Sequence, residues 1–366
     1  MSRTKDQYLQ NLLGQEEFAR LRLLGADPEV TSEPEQDLKI DYGNYCDVDA
    51  ILSGGLPPAP TPKYGRRVDG VALLYEQQVN MLFGDPEGGK TWVALAATAD
   101  ALINGERGLI LDMDHNGVGA TLARLLALGV PADTLRDRSR FLYVEPEDKL
   151  HVLTIVMDMA TWQPHIVVVD SLGELIPLFG SSSNSADDFT LVHSRVLKPF
   201  AKSGACVVLI DHLSKGADSR AFGPGGTAAK RRAIGGVSIR VRVKDAFTPG
   251  QGGSAYLTVN KDRHGGLRKH CPTGDREPLA GIFKLSEYEG GLLEAEISAP
   301  KDGESAPKSF SISGSDSERA EADAAALNDL DPAPKSKRDV QDRMGWGSDR
   351  ANEALRTWRN SRKEDQ

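Results

Sequence analysis

Cysteine is scarce in this chain: its 366 residues include only Cys46, Cys206 and Cys271. The three are far apart, odd in number and without a CxxC pair. A disulfide framework or a structural zinc site is therefore not expected, and we expect a reducing, cytoplasmic compartment.

Long apolar runs are also missing. No stretch approaches the ~18–20 residues that span a bilayer. The opening residues, MSRTKDQ, carry charges with no apolar core behind them, unlike a signal peptide. We therefore expect no membrane partner.

Positive charge is in deficit overall, because 44 Lys and Arg face 53 Asp and Glu, a net charge of −9. Such a chain is a poor candidate for coating nucleic acid through bulk charge. The acidic excess lies largely before residue 60 and within 301–334, whereas residues 230–244 carry six positive charges and no negative one. Any contact with nucleic acid is therefore predicted to be local.

Composition divides the chain into four segments. Residues 1–62 are predicted to be a partly helical N-terminal arm and linker, and residues 63–300 the main domain. Residues 301–334, rich in Ser, Ala, Asp, Glu and Pro, are predicted to be a flexible acidic linker. Residues 335–366 turn basic and are predicted to form two helices, the first capped by Ser336.

The main domain is predicted to be α/β, with a mostly parallel central sheet and an antiparallel extension at one edge. Short apolar strands alternate with amphipathic helices, which is the pattern of a parallel sheet covered on both faces. The predicted strands are 79–83, 108–112, 141–144, 166–170, 206–210, 239–243, 256–260 and 282–285. The predicted helices between them are 90–102, 120–128, 151–161 and 191–202.

The strongest motif is GDPEGGKT at positions 84–91, a full G-x-x-x-x-G-K-[ST] match between an apolar strand and a helix. Glycines let backbone N–H groups surround phosphates, and the helix N-terminus adds positive potential. We expect Lys90 to reach the β/γ-phosphates of ATP and the Thr91 hydroxyl to bind Mg²⁺. The alternative is a chance glycine-rich turn. The predicted nucleotide-binding residues are Gly84, Asp85, Pro86, Glu87, Gly88, Gly89, Lys90, Thr91 and Trp92.

A second acidic position fits the same site. Asp170 ends the buried strand IVVVD, and the carboxyl ends of parallel strands face the ligand crevice. Asp170 is therefore a predicted Mg²⁺ ligand together with Thr91. The alternative is an Asp that caps the next turn.

The order of these motifs over residues 65–300 resembles the RecA-like ATPases, specifically the RepA-like and DnaB-type hexameric helicases of plasmids, phages and bacteria. The resemblance implies a RecA-like core that hydrolyses ATP with Mg²⁺ at subunit interfaces. It implies a ring, a hexamer, that moves on single-stranded DNA as a replicative helicase or helicase loader. Replication or recombination proteins are the implied partners.

The resemblance also assigns roles within the site. Asp114 matches the acid, usually Glu, that polarises the attacking water, and Asp112 is a neighbouring candidate. His212 matches a sensor of the γ-phosphate, with a core histidine as the alternative. Lys261 and Arg263 match a pair that reaches the γ-phosphate of the neighbouring subunit, with a basic β-turn as the alternative.

A glycine-rich basic segment, residues 215–236, matches the loops that line the channel of RecA-like rings. The alternatives are a solvated loop or a contact with nucleotide across a subunit boundary. The predicted nucleic-acid contacts are Lys215, Arg220, Lys230, Arg231 and Arg232.

The C-terminal pair of helices resembles a helix-turn-helix around Gly345-Trp346-Gly347, with Arg350, Arg356 and Arg359 on its second helix. We expect it either to contact DNA or to dock on the ATPase or a partner, because two helices alone are too small to bury a core.

Three rival functions remain open at this stage. One is a recombination ATPase of the RecA/RadA type that forms filaments on DNA. Another is an ATP-switched replication initiator or regulator that binds DNA and unwinds nothing. The third is a KaiC-like signalling ATPase, which the basic glycine-rich segment makes less attractive.

Overall fold

The computed structural model describes residues 42–180, 186–213, 228–288, 290–301, 303–306, 323–330 and 332–364. The predicted helix near the N-terminus, Lys215, Arg220 and most of the predicted acidic linker lie outside these residues. Backbone contacts divide the chain into two units, Met1–Pro58 and Ala59–Gln366.

The first unit contains a short helix, α1. It follows a 3-10 turn at Tyr42–Asn44 and spans Val48–Gly54. Asp47 caps it, because its Oδ1 accepts a hydrogen bond of 2.9 Å from the backbone N–H of Ala50.

The second unit is built on two sheets. A nine-stranded sheet has the order β11-β10-β9-β8-β3-β7-β6-β4-β5, and β1 pairs with β2 in a separate antiparallel hairpin. The strands are β1 Pro62–Arg66, β2 Ala72–Tyr75, β3 Val79–Gly84, β4 Gly108–Asp112, β5 Phe141–Val144, β6 Ile166–Asp170, β7 Cys206–His212, β8 Val237–Thr248, β9 Gly252–Asp262, β10 Leu279–Glu287 and β11 Leu293–Ser298.

Helices connect the strands of the parallel block. A π-helical turn, His193–Leu197, joins α7 to α8. The helices of this unit are α2 Lys90–Ile103, α3 Val118–Ala127, α4 Ala132–Arg136, α5 Lys149–Trp162, α6 Leu172–Leu178, α7 Ala186–Val192, α8 Lys198–Lys202, α9 Ala228–Ala233, α10 Lys337–Met344 and α11 Ser348–Glu364.

The strands from β8 to β5 pair in parallel, and β3, β4 and β6 among them are buried along their whole length. Along β6, Ile166 and Val168 pack into one apolar cluster while Val167 and Val169 pack into the cluster on the opposite face. A continuous apolar run is needed for such a strand, which explains why IVVVD does not alternate with polar residues. The predicted α/β class and mostly parallel sheet are confirmed.

The predicted antiparallel extension is also confirmed, since β8–β9, β9–β10 and β10–β11 all pair antiparallel. The β8–β9 hairpin is longer than predicted and reaches Thr248. The outer half of β8 is mostly exposed, so the apolar pattern that marks a strand is missing there. Within the described ranges, no helix combines the length and the apolar character needed to cross a membrane.

The predicted C-terminal helices are α10 and α11. Ser336 caps α10 through a hydrogen bond of 3.2 Å from the N–H of Asp339 to its Oγ. We expected two helices without a core, but a third segment, residues 323–330, packs against them and completes one. The buried members are Ala324, Leu327, Val340, Ala351, Ala354, Leu355 and Trp358.

The tightest approach in the parallel block lies between β3 and β8. A Cβ at Gly84 would lie 2.2 Å from the carbonyl oxygen of Val241, so the two strands pair at this level only because residue 84 lacks a side chain. We expect Gly84→Ala to lower the free energy of unfolding by about 1–3 kcal/mol, as overpacking does.

The matched control is Gly119→Ala in α3, where an added Cβ would meet nothing within 4 Å. In a helix this change should be neutral or stabilising by about 0.5–1 kcal/mol. Denaturant unfolding of both variants measures the difference. Equal stabilities would show that the sheet relaxes around the methyl group.

Candidate functional site

The carboxyl ends of β3, β6 and β7 open into one cavity of about 630 Å³. Strand register brings them level, because Gly84 pairs with His212 and Asp170 with Asp112. One wall comes from the 84–91 turn and the polar strand ends, and the other from the β8–β9 and β10–β11 hairpins. The lining residues are Pro86, Glu87, Gly88, Gly89, Lys90, Thr91, Trp92, Asp114, Asn116, Arg124, Asp170, Ile210, His212, Phe247, Thr248, Pro249, Gly252, Leu285, Glu287 and Leu293.

The 84–91 turn joins β3 directly to α2. Gly89 takes a left-handed conformation (φ 88°) immediately before the helix. Lys90 is 4% exposed, and its ammonium donates to the carbonyl oxygens of Gly84 at 3.2 Å and Asp85 at 2.6 Å. Burial lowers the pKa of Lys90, although the charge of Asp170 opposes this. A buried cation therefore lies at the start of a helix, where backbone N–H groups also carry positive potential.

Thr91 and Asp170 meet at the floor of the cavity. The Thr91 hydroxyl donates to Oδ2 of Asp170 at 2.9 Å. Burial raises the pKa of Asp170 to about 6, the charges of Asp114 and Asp112 add to the effect, and the Thr91 hydrogen bond opposes it. A hydroxyl and a buried carboxylate this close form an oxygen donor pair of the kind that suits a hard divalent cation.

Asp114 lines the cavity and contacts Ser171. Its Oδ1 accepts a hydrogen bond of 2.7 Å from the Ser171 hydroxyl, and its Oδ2 lies 3.9 Å from Nε2 of His212. The contact with His212 and the Ser171 hydrogen bond lower the pKa of Asp114, while burial opposes them. The Asp114 carboxylate is therefore stabilised in its ionised form.

Asp112 has a different role, although only one residue separates it from Asp114. Its carboxylate accepts hydrogen bonds from the Tyr143 hydroxyl at 2.6 Å, the Asn116 amide at 2.9 Å and the Gly117 N–H at 3.1 Å. It is 2% exposed and does not line the cavity. Of the two acids that the sequence left open, Asp114 is the one that faces the cavity.

His212 ends β7 beside Asp114, with its side chain 43% exposed. Its backbone N–H donates to Oδ1 of Asp211 at 2.9 Å. Its Nδ1 is buried and has no hydrogen-bond partner among the described residues. The predicted sensor therefore lies at the cavity with one ring nitrogen toward the acid.

Lys230 is turned into the protein. Its ammonium lies 2.9 Å from Oδ2 of Asp211, and both side chains are at most 4% exposed. Burial raises the pKa of Asp211, and the charge of Lys230 opposes this. A contact between Lys230 and nucleic acid does not fit this placement. The prediction was wrong because charge alone does not distinguish a buried lysine from a solvated one. Arg231 is half-buried and Arg232 exposed on the same helix, α9.

Lys261 is engaged within its own chain. Its ammonium donates to the carbonyl oxygens of Arg231 at 2.7 Å, Arg232 at 3.0 Å and Ile234 at 2.7 Å, which closes the C-terminal end of α9. Burial, with the nearby charges of Arg263 and Arg231, lowers the pKa of Lys261 to about 8. Arg263 is exposed, and its backbone N–H donates to Gly236. The predicted reach of this pair into a neighbouring subunit stays a prediction.

Half of the cavity residues were not predicted, and Arg124 and Phe247 are among them. The guanidinium of Arg124 lies 5.2 Å from the ring centroid of Trp92, and Phe247 covers the 84–91 turn so closely that a Cβ at Gly89 would lie 2.4 Å from its ring. Arg124 lies in the predicted helix 120–128, but no motif marked it as a site residue. Phe247 had no signal either, because it reaches the cavity from a hairpin more than a hundred residues later.

Comparison with known proteins adds no relative. No protein-family model matches the chain. No curated protein matches it significantly either. The functional conclusion therefore depends on the residues and geometry of the site.

The Asp211–Lys230 pair allows a direct test. We expect Lys230→Met to lower the free energy of unfolding by about 3–5 kcal/mol, because it leaves Asp211 buried without a counter-charge. The control, Lys202→Met at an exposed position of α8, should stay within about 0.5 kcal/mol of the parent. The double variant Asp211→Asn/Lys230→Met should recover part of the loss in denaturant unfolding. A Lys230→Met protein as stable as its control would show that the pair contributes nothing.

Proposed function

We propose that the chain is an ATP hydrolase with a RecA-like core that assembles into a ring, a hexamer, and moves on single-stranded DNA as a replicative helicase or helicase loader. The observation that carries the proposal is one cavity where a buried lysine, the Thr91–Asp170 pair and the Asp114–His212 pair converge. Each occupies the carboxyl end of a parallel strand or the turn that follows it, where α/β sheets bind ligands.

The phosphates of ATP would lie along the 84–91 turn. Lys90 would release the carbonyl oxygens of Gly84 and Asp85 and direct its charge to the β- and γ-phosphates. The α2 N-terminus would add N–H donors. A Cβ at Gly88 would lie 2.9 Å from the carbonyl oxygen of Asp85, so the turn is too tight for a side chain there. This tightness supports a backbone cradle for an anion.

Mg²⁺ fits the donors present. Thr91 and Asp170 supply a hydroxyl and a carboxylate oxygen 2.9 Å apart, and these two residues would hold the ion. When bound, the ion would neutralise charge on the β- and γ-phosphate oxygens. The pKa of about 6 at Asp170 still leaves it mostly ionised at neutral pH.

Asp114 would orient and polarise the attacking water. Its carboxylate is held by the Ser171 hydroxyl on one oxygen and faces His212 with the other. Fixed orientation and an ionised form are what a water-activating acid requires. His212 would hydrogen-bond an oxygen of the γ-phosphate and sense the loss of this phosphate group.

The adenosine end of the ligand would occupy the outer wall. Arg124 stacks on Trp92 there, and Phe247, Leu285 and Leu293 supply apolar surface from the two hairpins. A planar base can stack on a guanidinium or on an aromatic ring. The cavity volume lies within the ~300–1,000 Å³ typical of small-molecule sites.

The link from this cavity to the basic segment supports action on nucleic acid. His212 adjoins Asp211, Asp211 pairs with Lys230 of α9, and Lys261 ties the end of α9 to β9. Loss of the γ-phosphate at His212 would therefore reach α9 through one buried ion pair. A RecA/RadA-type recombination ATPase would share this site, and unwinding of a forked duplex against strand pairing separates the two.

Two variants test the chemistry. We expect Lys90→Ala to lower kcat for ATP hydrolysis by about 10²–10³ through lost stabilisation of phosphate charge. Asp114→Asn should lower kcat by about 10²–10⁴ with the KM for ATP little changed, because it removes only the acid that acts on water.

Asp112→Asn is the control for Asp114→Asn. It should lower the melting temperature by disturbing the loop held by Asp112, yet keep hydrolysis per folded molecule. Steady-state kinetics beside thermal unfolding separate the outcomes. Full activity of the Asp114→Asn protein, or loss of activity in the Asp112→Asn protein alone, would reverse the assignment of the two acids.

Mixing of subunits tests Arg263. Lys90→Ala chains lack a working site but keep Arg263, whereas Arg263→Ala chains keep the site and lack the arginine. If the arginine acts across an interface, each variant alone should be inactive. An equal mixture should then recover about a quarter of the parent rate, the fraction of ring interfaces that join the two intact halves.

Arg276→Ala, at another exposed arginine near the end of the sheet, should keep full activity alone. Mass measurement with nucleotide accompanies the assay. An active Arg263→Ala protein, or a monomer unstimulated by single-stranded DNA, would contradict the ring proposal.

A further inference from the structure

The C-terminal helices form a small unit with its own apolar core, and the ATPase cavity uses none of it. Residues 323–330, α10 and α11 enclose Leu327, Val340, Leu355 and Trp358. Arg350 fixes the unit, because it donates to both carboxylate oxygens of Asp323 at 2.8 Å and 2.6 Å and lies 4.3 Å from the centroid of the Trp346 ring. Arg350, which we had expected as a DNA contact, is therefore committed to holding the unit together.

Three residues separate α10 from α11. Gly345 ends α10 in a left-handed conformation (φ 66°, ψ 22°) and its N–H donates to the carbonyl of Gln341 at 2.9 Å. A short glycine turn between two packed helices is the arrangement in which the second helix enters the major groove of DNA. The second helix here has the length for that role, since α11 spans 17 residues.

The two faces of α11 differ in chemistry. Ala351, Ala354, Leu355 and Trp358 face the core, whereas Asn352, Glu353, Arg356 and Arg359 are exposed. The exposed residues Asn352, Arg356 and Arg359 follow i, i+4, i+7 spacing, so they form one stripe about 10 Å long, the rise of about three base pairs. At the end of this stripe, Nη2 of Arg359 donates to the carbonyl oxygen of Lys335 at 2.9 Å, and binding of DNA by Arg359 would compete with this hydrogen bond. Arginine and asparagine are the side chains that pair with guanine and adenine edges.

The local charge suits the same ligand. Residues 323–364 contain nine Lys and Arg against eight Asp and Glu, a balance of +1 in a chain of −9, and all nine basic residues lie from Lys335 onward. Glu353 is the acid beside this stripe on the exposed face of α11. Its carboxylate lies 3.8 Å from Arg356, and both side chains are more than half exposed. A pair so exposed is weak, so Arg356 can exchange it for a phosphate or a base.

From these contacts we infer that the unit of residues 323–364 binds duplex DNA, with Asn352, Arg356 and Arg359 of α11 in the major groove. This site is distinct from the basic segment that is predicted to contact single-stranded DNA. Binding of duplex DNA to it does not require ATP hydrolysis. It would tether the ATPase to double-stranded DNA.

The test uses the full-length protein and fluorescence anisotropy with a duplex of about two helical turns, against a single strand of equal length. We expect Arg356→Glu to weaken duplex binding by about tenfold or more. We expect Arg356→Ala to make the slope of log affinity against log salt shallower by about 1 if the side chain contacts phosphate.

The chain supplies a matched control. Arg136→Glu replaces another helical arginine that, like Arg356, has an acid three residues before it. The Arg136 side chain is 76% exposed, against 73% for Arg356. Duplex affinity should be unchanged in Arg136→Glu, and both variants should keep the melting temperature and ATPase rate of the parent. Equal duplex affinity in Arg356→Glu and Arg136→Glu would overturn the inference, as would a loss confined to the single strand.

Lys90→Ala separates this inference from the proposed function. It should abolish hydrolysis and leave duplex affinity unchanged. A parent protein that binds duplex through Arg356 without any ATPase activity would refute only the proposed function.

Discussion

The site depends on the parallel pairing of β3 between β7 and β8. Hydrogen bonds on both sides fix β3 against sliding, and the register sets Gly84 beside His212 on one flank and beside Val241 on the other. One residue of slip would move every side chain of β3 to the opposite face and lift the 84–91 turn away from His212. The absence of a side chain at Gly84 keeps this register possible.

Buried charge is concentrated at that edge of the sheet, although it lowers the stability of the fold. Lys90, Asp170, Asp211 and Lys230 are all at most 5% exposed, and each would be more stable in water if alone. Only Asp211 and Lys230 neutralise each other directly. Lys90 and Asp170 also have perturbed pKa values, and a cluster of perturbed groups in a cleft is typical of a functional site.

Sequence reasoning located the elements that depend on local pattern. The strand ending at Asp170 and the turn before Lys90 were predictable because a buried parallel strand needs a continuous apolar run, and because glycines precede the helix. The direction in which the charged side chains point was not predictable. Asp112 and Asp114 have the same chemistry and differ only in how the chain turns after β4, and Lys230 reads as a solvated charge until its partner Asp211 is known.

Contacts over long sequence separations were the other gap. Phe247 covers the turn at Gly89 because β8 continues beyond its pairing with β3, and no sequence pattern near either residue predicts this contact. The core of the C-terminal unit needed residues 323–330, whose small side chains and acids looked like linker. Burial there is shared among three segments, so none of them carries a full amphipathic pattern by itself.

The anchoring of α9 has a further consequence for how the domain opens. Lys230 ties its middle to β7 and Lys261 ties its end to β9, so two lysine side chains and the buried Ile234, rather than a ladder of backbone hydrogen bonds, hold residues 228–234 against the sheet. A segment held this way can detach as a local unit while the sheet stays folded, with an opening free energy below that of global unfolding. Its amide hydrogens should therefore exchange with solvent ahead of those of β3 and β7, and bound ligand at His212 would slow that exchange from a distance.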